Sequence, residues 1–169
     1  MNIENIITER LILRDWKETD LNDIFICLSN PRVTIPEGSS PCESIEDCKC
    51  VLDYLILVKN NYAIELKENA SVIGGIGLNE DTKGNPNARN LGFYLAEEYW
   101  NKGIMTEALT TVIANAKEVT EVLSASHNNN PKTDHILTNL GFKQVDVIKN
   151  VKRKVDVEYH DEPYYILEL

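Results

Sequence analysis

The chain has 169 residues, 43% hydrophobic and 26% charged, with 27 acidic against 17 basic side chains and a formal net charge of −10. That size and balance suit one folded domain over residues 1–169 and exclude an intrinsically disordered chain. The acidity argues against a nucleic-acid partner, whose binding rests on neutralised phosphates, and fits a cationic one such as an amine.

The opening Met1-Asn-Ile-Glu-Asn-Ile6 has no basic flank before an apolar stretch, so no signal peptide is expected. No apolar run is long enough to cross a bilayer, and a soluble, cytoplasmic protein without membrane partners is expected. Ile6 to Arg14 reads as a strand, with Leu11 and Leu13 alternating against Arg10 and Arg14. Thr19 caps a short helix from Asp20 to Ser29. Three prolines and a glycine make Asn30 to Pro41 a loop. Ser44-Ile-Glu-Asp47 resembles a capping box, and Ile45, Cys48, Leu52 and Leu55 at helical spacing carry a second helix to about Lys59.

Tyr62 to Leu66 and Ser71 to Asn79 flank a short turn and form a hairpin. After a polar loop, Asn90 to Ala96 is the fourth strand. It leads through Trp100-Asn-Lys-Gly103 into a helix with Met105, Ala108, Leu109, Val112, Ile113 and Ala116 on one face. Glu121 to His127 is the fifth strand. Pro131 opens a last helix and Gly141 closes it. Lys143 to Val151 and Pro163 to Glu168 complete the set. The strand-helix alternation in the second half places a ligand site at the carboxyl ends of those strands.

Cys27, Cys42, Cys48 and Cys50 all lie in the first third. Their spacing does not match a metal motif and no second ligand pair follows, so reduced thiols and no metal are expected. The turn between the fourth strand and its helix is more informative. The first amides of a helix lack internal partners, and with the helix dipole they suit a pyrophosphate. Gly103 permits close approach of backbone to ligand, and Lys102 adds a charge.

Tyr99-Trp-Asn-Lys-Gly-Ile-Met-Thr-Glu-Ala-Leu109 resembles the acyl-coenzyme A signature of the GNAT superfamily, in particular the branch typified by RimJ and RimL, which acetylates protein N-terminal amines. Thr8-Glu-Arg-Leu-Ile-Leu-Arg14 with Asp20, Val72-Ile-Gly-Gly-Ile-Gly77 and Asn130 to Phe142 resemble further segments of that branch, in the same order. The resemblance implies a mixed α/β fold, a twisted seven-stranded sheet splayed between the fourth and fifth strands and flanked by four helices. It implies acetyl-coenzyme A (acetyl-CoA) as cosubstrate. The pantetheine arm would pair with backbone around Tyr94, Leu95 and Ala96, and Asn130 would bond the same region. The pyrophosphate would rest on Asn101, Lys102, Gly103, Ile104, Met105 and Thr106.

The resemblance also has departures. Trp100 stands where the superfamily commonly has Arg or Gln, and Met105 where it has a small residue. Leu137 occupies the position of a tyrosine acid in many relatives, and Thr133 the position of this branch's serine. Thr133 is therefore the expected proton donor to the departing thiolate. His127, an acidic residue or water would take the proton of the amine. Glu80, Asp81 and the pair His160-Asp161 are weaker candidates for the acceptor side. The run Lys149 to Lys154 reads as a charged hairpin tip. Trp16 and the pair Tyr164-Tyr165 read as packing residues.

The expected reaction is acetyl transfer to a primary amine, foremost a protein or peptide N-terminus, by a monomer or homodimer. The alternatives are a small-molecule acceptor (polyamine, aminoglycoside or amino acid) and a non-catalytic acetyl-CoA-binding regulator.

Overall fold

The computed structural model describes residues 4–58, 60–127 and 130–169. Lys59, the expected end of the second helix, lies outside the described residues. The strands are β1 (Ile6–Ile7), β2 (Leu11–Arg14), β3 (Asn61–Leu66), β4 (Val72–Glu80), β5 (Ala88–Leu95), β6 (Glu121–Ala125), β7 (Lys143–Val151) and β8 (His160–Glu168). The helices are α1 (Leu21–Leu28), α2 (Pro31–Thr34), α3 (Ile45–Leu57), α4 (Ile104–Ala114) and α5 (Pro131–Asn139). The strands form one sheet in the order β1-β2-β3-β4-β5-β6-β8-β7.

The sheet has eight strands because the expected first strand folds back on itself. Thr8 accepts from the amide of Leu11 through its hydroxyl, which turns the chain and pairs Ile6 with Leu13. The proline-rich segment is also more ordered than a loop. Asn30 caps Pro31–Thr34 through its side chain, with proline at the first helical position where no amide is needed. A 3-10 turn over Ile35–Glu37 follows and ends in Gly38. The capping box at Ser44 is present, with reciprocal bonds between Ser44 and Asp47.

Every strand pair is antiparallel except β5 with β6. Helix α4 makes the crossover that a parallel pair requires. Its buried face of Ile104, Met105, Ala108, Leu109, Val112 and Ile113 meets Leu11, Leu13, Ile64 and Ile76 in the larger core, which Leu137 of α5 joins. Helices α1 and α3 cover the other face through Ile24 and Leu52, against Trp16, Ala63 and Val72. At the rim of that second core, Arg14 is held by Asp20 at 2.8 Å and by Glu65. Among the described residues no helix is long and apolar enough to cross a membrane.

The parallel pair stops early. Ala88, Arg89 and Asn90 pair with Glu121, Val122 and Leu123, and there the register ends. Strand β5 continues to Leu95 on β4 alone, while β6 continues to Ala125 on β8 alone. The expected splay is therefore present.

Close approach between β4 and β5 keeps the splay edge in place. A Cβ on Gly74 would sit 2.3 Å from the carbonyl oxygen of Tyr94, whereas one on Gly92 would meet open space. Gly74→Ala is expected to cost about 1–3 kcal/mol through overpacking, and Gly92→Ala less than about 0.5 kcal/mol. Chemical denaturation of the two variants checks the contrast.

Candidate active site

Two cavities fill the splay. The larger, about 820 Å³, is walled by Phe93 to Leu95 of β5, by Tyr99 to Asn101 and Gly103 to Thr106 around the turn into α4, and by Asn130, Thr133 and Ile136 at the start of the last helix and along it. The smaller, about 390 Å³, lies between β5, β6 and the β7–β8 hairpin, with His127, Asp146, Arg153, Glu162 and Tyr164 in its wall. The two adjoin at Glu37, Phe93 and Thr133, which line both.

The turn into α4 is built for backbone contact. Gly103 has φ +72°, a conformation that L side chains resist. The first helical bond is donated by Glu107 to the carbonyl of Gly103. The amides of Ile104, Met105 and Thr106 are thus left without partners inside the helix. The side chains of Ile104 and Met105 turn into the core, so these residues offer the site their N–H groups alone. Lys102 does not line the cavity. Its carbonyl accepts from Arg10 at 2.9 Å, and its ammonium lies 5.3 Å from the Tyr99 ring centroid. Arg10 also binds Glu107 at 2.7 Å, which Thr8 contacts as well, so the amino-terminal hairpin is clasped to the first turn of α4. Lys132 sits 3.5 Å over the ring of Trp100 at the mouth.

Strand β5 presents alternate backbone groups to the gap. The carbonyl of Leu91 accepts from Ser124 across the splay, and that of Leu95 from the Trp100 indole at 2.8 Å. Phe93 lies between them on the same side, with its N–H and C=O toward the cavities. The amide of Ala96 is bonded to Ile73 and its carbonyl to Tyr99, so the free edge is centred one to two residues before the expected one. The Tyr94 ring packs into the opposite core. The amide side chain of Asn130 is engaged too: its oxygen caps Lys132, and its nitrogen donates to Pro36 at 3.4 Å.

The match to the acetyltransferase (GNAT) domain family covers residues 10–143. The chain belongs to the GNAT family. As a GNAT protein it is an acetyl-transferring enzyme, and GNAT acetyltransferases use acetyl-CoA. It is similar to the uncharacterized N-acetyltransferase YoaA of Bacillus subtilis, 24% identical over 95% of both chains. The fold is shared with the ribosomal-protein-S5-alanine acetyltransferase of Vibrio fischeri, at TM-score 0.79 and 21% identity over 98% of this chain and 97% of the other. It is shared equally with the spermidine N-acetyltransferase of Vibrio cholerae in complex with CoA and spermine, at TM-score 0.80 and 17% identity over 95% and 96%.

In the wall of the smaller cavity, His127 at the end of β6 is held from two sides. It is buried, with Nδ1 2.9 Å from Glu162 and Nε2 3.1 Å from Asp156. Both ring nitrogens are thus engaged by carboxylates, and neither is free to face a substrate. His160 stacks edge-on against it at 4.6 Å, 3.2 Å from Glu162. Arg153 closes the cluster with bonds of 3.0 and 2.8 Å to the two oxygens of Glu162. His127, His160 and Glu162 are close enough to share an ion, but Arg153 and Asp156 already occupy the same groups.

Leu137, at the position of the tyrosine acid, is fully buried in the core and faces no cavity. The four thiols are free. Burial pushes that of Cys27 up to about 12, far from a nucleophile's range.

Glu37 had no sequence signal beyond its place in the proline-rich segment. It is half-buried at the junction, and burial pushes its carboxyl up to about 7 against the opposing pull of Arg153. Burial would also raise Glu162, but hydrogen bonds from Arg153, His127 and His160 outweigh it and hold this carboxyl below its usual range. A depressed carboxylate adds stability above its unfolded pKa, about 4.3, and loses it as pH falls through the lower folded value. Glu162→Gln is expected to cost on the order of 3 kcal/mol at pH 7, and the gap to the parent should close as the pH is lowered toward 3. Urea titrations across that pH series measure it.

Proposed function

We propose that this GNAT enzyme transfers acetyl from acetyl-CoA to the α-amino group of a protein or peptide, as RimJ- and RimL-type enzymes do. The observation that carries this reading is the junction of the two cavities at Phe93 and Thr133. One cavity has the free helix amides that a pyrophosphate needs, and the other is lined by Asp146 and Glu162, which suit a cationic amine. In this reading the pyrophosphate lies on Asn101 to Thr106 and the pantetheine arm runs along Phe93 and Leu95. The thioester is brought to Thr133, which is buried three positions into the last helix. The N–H of Phe93 stabilises the oxyanion that forms when the amine attacks. Thr133 protonates the sulfur, aided by the amino-terminal dipole of α5. Holding both reactants in adjoining cavities supplies much of the rate.

A second reading is a small polyamine acceptor. It is favoured by the same acidic wall and by the fold shared with the spermidine enzyme. Thiol release from acetyl-CoA across a panel of N-terminal peptides and polyamines decides between them.

Two variants probe the roles. Gly103→Val forces a β-branched residue into φ +72° and is expected to weaken acetyl-CoA binding about tenfold or more. Calorimetric titration of the folded variant with unchanged affinity would overturn the pyrophosphate assignment. Thr133→Val is expected to lower turnover about 10²-fold with acetyl-CoA affinity retained, and Thr133→Ser to keep most activity. Turnover of the valine variant within about twofold of the parent, well short of a general acid's contribution, would leave protonation to water.

A further inference from the structure

We infer that Glu37 is the general base that takes the proton from the acceptor ammonium, an inference that rests on the acetyl-transfer reading. The substrate nitrogen must come to the boundary between the two cavities. Of the three residues that line both, Phe93 offers backbone, Thr133 a hydroxyl and Glu37 a carboxylate. His127 lines only the acceptor cavity, with both nitrogens turned to carboxylates. Glu162 spends its oxygens on Arg153, His127 and His160.

The backbone at Glu37 is fastened on both sides. Asn130 donates to the carbonyl of Pro36, and Arg153 donates to the carbonyl of Glu37 itself at 3.3 Å. Gly38 follows at φ +73°, and a Cβ there would strike the Arg153 side chain at 2.4 Å. The carboxylate is thus delivered by a short, pinned turn.

The charged groups around it divide by cavity. Arg32, Lys132 and His135 line the cofactor side, and Lys83, Asp146, His127, Arg153 and Glu162 the acceptor side. Arg153 is the charge that acts on Glu37, and it favours the ionised form; burial opposes it and prevails, giving about 7. A base of that strength is near-matched to an α-ammonium of pKa about 8 and poorly matched to a side-chain ammonium of about 10.4.

The proton balance closes. The ammonium gives one proton to Glu37, and the freed nitrogen lone pair attacks the thioester carbon. The C–S bond then breaks, and nitrogen loses its second proton through Thr133 to the departing sulfur. The proton on Glu37 passes to solvent, which restores the carboxylate.

The test is Glu37→Gln in the full chain, with the best acceptor of the panel. At pH 7 the second-order rate constant for that acceptor is expected to fall about 10²-fold or more, with acetyl-CoA affinity within about twofold by calorimetry, against the tenfold steps that mark lost contacts. The parent profile should rise through an ascending limb near 7. The variant should lack that limb and regain rate toward pH 9 and above, where the acceptor ammonium loses its proton unaided. Glu37→Ala with added formate is the second variant, and rescue of rate by formate is expected. A loss below about threefold, against the 10²-fold of a general base, a deficit independent of pH, or no rescue by formate would overturn the assignment of Glu37. Absence of thiol release by the parent with every amine would instead overturn the acetyl-transfer reading itself.

Discussion

The site depends on one interruption of hydrogen bonding. Strands β5 and β6 pair at Ala88–Asn90 and then part. Unpaired backbone inside a protein is costly, so the interruption persists only because other groups take up the ends. Ser124 and the Trp100 indole bond the carbonyls of Leu91 and Leu95. Phe93 is left facing the gap. The same sheet that supplies a rigid core therefore supplies one strand edge, buried and addressable by a ligand, without an exposed edge that invites aggregation.

The wall of the smaller cavity follows a different logic. Asp156, Glu162, Arg153, His127 and His160 satisfy one another within a few ångströms. Such a cluster is costly to desolvate and worse to leave incomplete. It ties the β7–β8 hairpin to the end of β6 and, through Arg153, to the turn that carries Glu37. Rigid charge here shapes a cavity, whereas the carboxyl that we propose takes the reacting proton, that of Glu37, lies outside the cluster.

Much of the fold is legible in the sequence. The helix periodicities, the Ser44 capping box and the Trp100–Gly103 turn are local features, governed by residues a few positions apart. The splay was legible only through the family resemblance, because it is a property of two strands about thirty positions apart. The fold-back at Thr8 was missed because a hydroxyl-to-amide bond interrupts an otherwise regular alternation. Trp100 and Asn101 were legible as a turn, but the occupied backbone of Ala96 and the occupied amide of Asn130 were not. The engagement of His127 was not legible because its partners lie about thirty residues away, on the last hairpin. Glu37 was invisible for the same reason: its significance comes from Asn130 and Arg153, which pin its backbone from distant parts of the chain.

The clasp of Thr8 and Arg10 on Glu107 and Lys102 has a consequence for how the enzyme ages. Those residues lie in the short hairpin that begins the sheet, yet they brace the turn that lines the larger cavity. A nick before Leu11 would take the half-buried Ile6 from the edge of the larger core and leave the helices intact. It would remove the brace and free the turn into α4 while the rest of the sheet stayed paired.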